Sequence, residues 1–253
     1  YSSQGQAING DIIKPDVLAP GGSRLASNRM IQSHDANTVE PNGLLGEESI
    51  ANDTAFYVGT SVSASILSGI YQTLLESYGT WNNFTHNEEM ALSIKAALLA
   101  TATETNALRE DNPITGYDES LNSPNVNRVG KDVHEGYGIV NPKAAIDLIS
   151  TPILVNSSSE FNISASNTEI LADHAIGRKI TLEKNKYYQI SINSTMGLDA
   201  DLYLFHNVGD SNGEPILLRS SNEIGTSAES ITFCPSNNTR DYWIVVKAID
   251  GEG

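Results

Sequence analysis

The sequence predicts a mixed α/β segment followed by an all-β antiparallel sandwich. Three observations point to it. Residues 1–150 combine short apolar runs with apolar stripes at helical spacing. Residues 151–253 carry seven strand-like runs of period-two or continuous apolar character and no helical stripe. Between them, Ser150-Thr151-Pro152 and Ser157-Ser158-Ser159 mark a seam near residues 151–158. A chain of 253 residues accommodates one or two domains of ordinary size.

Taken in order, Asp16-Val17-Leu18-Ala19 and Ala55-Phe56-Tyr57-Val58 are apolar runs bounded by Pro and Gly, as expected of strands in a buried parallel sheet. Ala64, Leu67, Tyr71, Leu74, Leu75 and Tyr78 recur at three and four residues and predict one helix face. A second helix is expected from a capping box at Thr85-His86-Asn87-Glu88, with Met90, Ile94, Ala97, Leu98 and Thr101 facing inward. A third follows Pro142, which suits a first helical turn, and turns Ala144, Ala145, Leu148 and Ile149 to the core. Beyond the seam, strands are expected at Phe161–Ser164, Lys179–Glu183, Tyr187–Ile192, Asp201–Phe205, Ile216–Leu218, Ser230–Phe233 and Tyr242–Val246, separated by Asn, Gly and Ser turns.

Charge narrows the function. Lys plus Arg is 15 against 31 Asp plus Glu, a formal net charge of −16. Both segments are acidic, so a nucleic-acid backbone is repelled rather than bound. No apolar run is long enough to span a membrane. The single cysteine, Cys234, excludes an intrachain disulfide and a cysteine-based metal knuckle.

The most informative stretch is Gly59-Thr60-Ser61-Val62-Ser63-Ala64-Ser65-Ile66-Leu67-Ser68-Gly69. It sets Ser61 at the turn from a predicted strand into a predicted helix. A helix N-terminus offers unpaired N–H groups and partial positive charge, suited to an oxyanion on a carbonyl attacked by that serine. A serine ahead of an apolar helix is more commonly an N-cap, and by itself the pattern is compatible with that role.

This stretch resembles the nucleophile motif of the subtilisin-like serine proteases, and three other blocks are similar to that family in the same order. They are Tyr1-Ser2-Ser3-Gln4-Gly5 with Ile13-Lys14-Pro15-Asp16-Val17-Leu18-Ala19-Pro20-Gly21, then Ile94-Lys95-Ala96-Ala97-Leu98-Leu99, then Gly136-Tyr137-Gly138-Ile139-Val140-Asn141. The resemblance implies that residues 1–150 are the C-terminal half of a peptidase domain, with Ser61 as acylating nucleophile, its N–H as an oxyanion donor and Thr60 supporting the same hole. Two positions depart from the pattern: Val62 replaces a common methionine and Ser65 replaces a proline. The excursion between Pro20 and Gly59 is long for the family and reads as a surface insertion.

A triad needs a histidine base and an aspartate that orients it. The family's Asp and His segments are absent, and His34, His86, His134, His174 and His206 stand in no matching context. His86, at a helix start, and His206, at a strand end, read as solvated structural residues. The Asp, the His and an oxyanion asparagine are therefore expected from sequence upstream of Tyr1, and the chain alone is expected to be inert. The alternative class is a surface structural or adhesion protein that keeps the fold without catalysis.

Residues 151–253 are similar to the pre-peptidase C-terminal domain of exported peptidases, through Leu198–Phe205, Arg219–Asn222, Ala228–Ile231 and Asp241–Val246. Asp199 and Asp201 are weak candidate ligands for calcium, a hard cation that takes oxygen donors; two carboxylates at i and i+2 are also what a solvated strand face presents. No cofactor is otherwise required. Sequons at Asn52, Asn83, Asn156, Asn162, Asn193 and Asn237 permit glycosylation. The expected setting is extracellular or cell-surface, with protein or peptide substrates as partners.

Overall fold

The computed structural model describes residues 5–6, 13–22, 30–33, 54–79, 87–103, 131, 135–153, 175–193, 199–223, 228–236 and 239–249. The elements run β1 (Gly5–Gln6), β2 (Ile13–Lys14), β3 (Met30–Ser33), β4 (Thr54–Tyr57), α1 (Thr60–Tyr78), α2 (Glu88–Ala100), α3 (Pro142–Ser150) and β5 (Pro152–Ile153). They continue with β6 (Ala175–Leu182), β7 (Tyr188–Asn193), β8 (Asp199–Gly209), β9 (Pro215–Ser221), β10 (Ala228–Phe233) and β11 (Arg240–Ile249). The expected strand at Phe161–Ser164 and the Ser157–Ser159 stretch lie outside the described residues.

The three helices follow their sequence signals with local adjustments. In α1, Leu74 is fully buried and Leu67, Ile70, Tyr71 and Leu75 pack against the same core, whereas Ala64 and Tyr78, expected on that face, are exposed. They sit at the two ends of the stripe. The cap of α2 is Asn87 rather than Thr85: Asn87 Oδ1 accepts the Met90 N–H at 2.8 Å, the N-cap-to-N3 bond that satisfies an orphan donor. Glu88 and Glu89 then place negative charge in the first turn, where the helix dipole favours it. In α3, Asn141 accepts the Ala144 N–H at 3.0 Å, and Pro142 occupies the first turn.

A five-stranded sheet in the order β5-β6-β11-β8-β9 organises the second half of the chain. Its pairings are antiparallel except for β5 with β6. The central strands β8 and β11 are apolar on both faces because both faces are covered. Tyr203, Phe205, Trp243 and Val245 join Ile94, Ala97 and Leu98 of α2 and Ala144, Ala145 and Leu148 of α3 in one core. On the opposite face, Leu202, Leu204, Tyr242 and Ile244 meet Ile190 and Ile192 of β7 and Ile231 and Phe233 of β10, which form a separate antiparallel ladder. Gly177 permits the α3 contact: a Cβ there would lie 2.5 Å from the Ala144 carbonyl oxygen and 2.7 Å from Leu148 Cβ.

Two expectations change. The Ala55–Val58 run forms β4 at Thr54–Tyr57, and its partner among the described residues is β3, in antiparallel register. Asp16–Ala19 contributes only a parallel bridge from Leu18 to Ile139, the sole parallel pairing among the described residues of 1–150. The seam near 151–158 falls between α3 and β6, and the larger apolar core crosses it.

Candidate active site

The sequence blocks singled out above meet in space. Gly5 and Gln6 pair with Lys14 and Ile13. The Leu18 N–H donates to the Gly138 carbonyl at 2.8 Å, and the Val140 N–H donates to the Leu18 carbonyl at 2.9 Å. The Ile139 N–H donates to the Thr103 carbonyl at 2.7 Å, joining the end of α2 to the same strand. At Gly21 the segment reaches the candidate nucleophile, because its carbonyl accepts the Gly59 N–H at 2.8 Å. A Cβ on Gly21 would stand 2.6 Å from Ser63 Oγ and 2.9 Å from the Gly59 carbonyl oxygen, so only glycine allows this approach.

Gly59 is the N-cap of α1, with φ of 146° and ψ of 169°, a backbone that L-residues rarely adopt. It has no capping side chain. Its carbonyl accepts the Val62 and Ser63 N–H groups at 3.0 and 3.3 Å. Among the described residues, no backbone carbonyl accepts the N–H of Thr60 or Ser61. Both residues are exposed, while Val62 at 5% exposure anchors the turn from below. No acidic residue lies in this first helical turn. The turn therefore presents a hydroxyl and two open backbone donors at the positive end of a helix of 19 residues. Ser65 donates its hydroxyl to the Ser61 carbonyl at 3.0 Å, a second donor at a position where proline supplies none.

Five residues before Gly21, Asp16 gathers the charges of the segment that holds the turn. Its carboxylate accepts Lys131 at 2.5 Å and Lys14 at 2.6 Å, with Lys95 at 3.4 Å. Burial pushes its pKa up, but the hydrogen bonds from Lys131 and Lys14 and the charges of Lys131 and Lys95 outweigh that and hold it at about 2. Lys131 also contacts Glu214 at 2.8 Å. Burial disfavours its charge, yet Asp16 and Glu214 together raise its pKa above the usual value. Tyr137 donates its hydroxyl to Glu214 at 3.4 Å, and burial, then Glu214, hold that phenol well above its ordinary range. Sequence reading placed Asp16 in a strand and passed over Lys131 and Glu214, whose sequence separation gives no local signal.

Comparison with known sequences matches the Subtilase family to residues 1–138, more than half of the 253 residues. The chain belongs to the subtilase family. The region of this subtilase that is matched carries the Gly59–Ser61 turn and the Gly21 segment bonded to it. No curated protein matched the chain.

The remaining candidates are placed differently. His206, the one histidine among the described residues, lies inside β8 rather than at a strand end. Its Nε2 meets the Arg240 guanidinium, and its ring stands edge-on to Tyr242 with centroids 6.1 Å apart. Burial and the Arg240 charge lower its pKa, so it is a neutral ring tied to the sheet rather than a solvated one. His34, His86, His134 and His174 lie outside the described residues. Asp201 is fully buried, not solvated, and accepts the Tyr203 hydroxyl at 2.7 Å opposite Lys247 on β11. The Lys247 ammonium donates to the Ala102 carbonyl at 2.6 Å. The side chain of Asp199 is outside the described residues, and among those described no three His, Cys, Asp or Glu residues cluster as metal ligands. No described helix is long and apolar enough to cross a membrane.

Proposed function

We propose that this subtilase is a serine endopeptidase that cleaves protein substrates through an acyl-enzyme on Ser61. The observation that carries the reading is the Gly21–Gly59 hydrogen bond, which seats Ser61 on an open helix N-terminus without a competing side-chain cap. In the proposed reaction the Ser61 oxygen attacks the scissile carbonyl carbon as a histidine takes its proton. The Ser61 N–H donates to the resulting oxyanion, and Thr60 shapes that hole. The acyl-enzyme forms when the leaving amine departs with the proton, and water then releases the acyl group by the same steps. In this reading the Asp, the His and an oxyanion asparagine are supplied by sequence upstream of Tyr1, as the family resemblance implies.

Residues 151–253 form a pre-peptidase C-terminal-like β-sandwich in this reading, supported by the β7–β10 ladder packed on one face of the five-stranded sheet. The protein works outside the cell or at its surface, and its acidity and the six sequons suit that setting.

The test is hydrolysis of a denatured protein substrate by the chain co-expressed with its upstream sequence. Ser61→Ala is expected to lower kcat by about a million-fold while KM stays within a few-fold, the pattern of a lost nucleophile. Activity that survives Ser61→Ala would rule the assignment out, and a parent protein that hydrolyses nothing would favour the non-catalytic surface protein.

A further inference from the structure

The β8–β9 hairpin of the second segment reaches back onto the subtilase segment. Asp210 Oδ1 accepts the Asn212 and Glu214 N–H groups, both at 2.8 Å, which fixes the hairpin tip. Lys95 of α2 donates to the Asn212 carbonyl at 2.8 Å. The tip thereby carries Glu214 to Lys131, whose ammonium is buried at 6% side-chain exposure and bridges Glu214 to Asp16.

From Asp16 the connections run without a break to the candidate nucleophile. The Asp16 carbonyl accepts the Tyr137 N–H at 3.0 Å, and Leu18 is paired on both its N–H and its carbonyl. Three residues later the Gly21 carbonyl holds the Gly59 N–H. Gly59 has no side chain to cap α1 and adopts a backbone that needs outside support, so the position of the Ser61 turn depends on where residues 16–21 are held.

We propose that Glu214 is a positioning residue for the Ser61 turn: through Lys131 and Asp16 it braces the 16–21 segment from which the Gly59 cap hangs. The second segment is then a working part of the peptidase site rather than a passive appendage. The role of the turn rests on the peptidase reading above; the brace itself does not. A buried ammonium between two carboxylates is held most firmly while both are charged, and removal of one takes away a charged partner that fixes it in a low-dielectric setting.

Hydrogen exchange on the full chain tests the brace without requiring catalysis. Glu214→Gln is expected to speed exchange of peptides covering residues 13–22 and 54–63 by about tenfold, the scale of one charged hydrogen bond. Peptides from β11 should keep their rates, and Glu214→Asp should restore most of the protection. Unchanged exchange in 13–22 and 54–63 would overturn the proposal, as would acceleration spread evenly over the molecule. Should Glu214→Gln not fold, Glu214→Ala, which also removes the carboxylate, carries the same comparison against Glu214→Asp. In the protein supplied with its upstream sequence, Glu214→Gln should lower kcat about tenfold at constant KM, with recovery in Glu214→Asp. Failure of Ser61 to react at all would count against the peptidase reading, and the exchange result would still decide the brace.

Discussion

Asp16 shows how a single side chain ties charge to fold. Its pKa of about 2 lies below the unfolded value of 3.8, so between these values the unfolded chain binds more protons than the folded one. Stability from this group is therefore complete above about pH 4 and is lost as pH falls toward 2. The shift corresponds to about 2 kcal/mol. Thermal melts of the chain and of Asp16→Asn should differ by that amount near pH 6 and converge near pH 2. A constant difference across that range would show that the Lys131 and Lys14 contacts do not set the carboxylate's charge. The helix start that carries Ser61, by contrast, was legible from the sequence because its signals are local, a glycine before it and an apolar helix after it, whereas the role of Ser61 came from the family resemblance. The bridge at Asp16 was not legible, since Lys131 reaches Asp16 across 115 residues and Glu214 reaches Lys131 across 83, by side-chain contacts that leave no periodicity.

Among the elements, helices announced themselves best. Apolar residues at three and four spacings located α1, α2 and α3, and Pro142 marked the start of α3. Strand partners did not follow from pattern. Thr54–Tyr57 reads equally well as parallel or antiparallel, and only the return of Met30–Ser33 decides it. The contact of α3 with β6 depends on Gly177, whose Cα faces Ala144 and Leu148 without room for a methyl group. Gly177→Ala should destabilise the protein by about 1–3 kcal/mol, because the added carbon must displace helix backbone as well as side chain. A urea titration measures it through the midpoint at unchanged slope. A change under about 0.5 kcal/mol would mean that α3 shifts freely on the sheet.

At the scale of the whole molecule, composition separated two kinds of segment, but the core does not stop where composition changes. Tyr203, Phe205, Trp243 and Val245 belong to the second segment and are buried against helices of the first. Large aromatic side chains each bury on the order of 150–250 Å², so residues 151–253 expressed alone would expose an apolar patch beyond the few hundred Å² that soluble monomers tolerate. The isolated segment should bind a hydrophobic dye strongly, melt broadly and associate, and the addition of residues 1–150 should reverse this. A monomeric, dye-negative segment with a sharp melt would show that it is a self-sufficient domain. Period-two patterning could reveal strands buried on both faces, yet it carries no information on which segment covers each face.

The central claim is that Ser61 is the nucleophile of a serine peptidase. It is tested most directly by treating the chain, expressed with its upstream sequence, with a fluorophosphonate and mapping the adduct by peptide mass spectrometry. The phosphonyl group should sit on Ser61 alone, absent after prior denaturation and absent in the 253-residue chain expressed without a histidine base. An adduct on a different serine, or none on a protein that nonetheless hydrolyses peptide bonds, would contradict it.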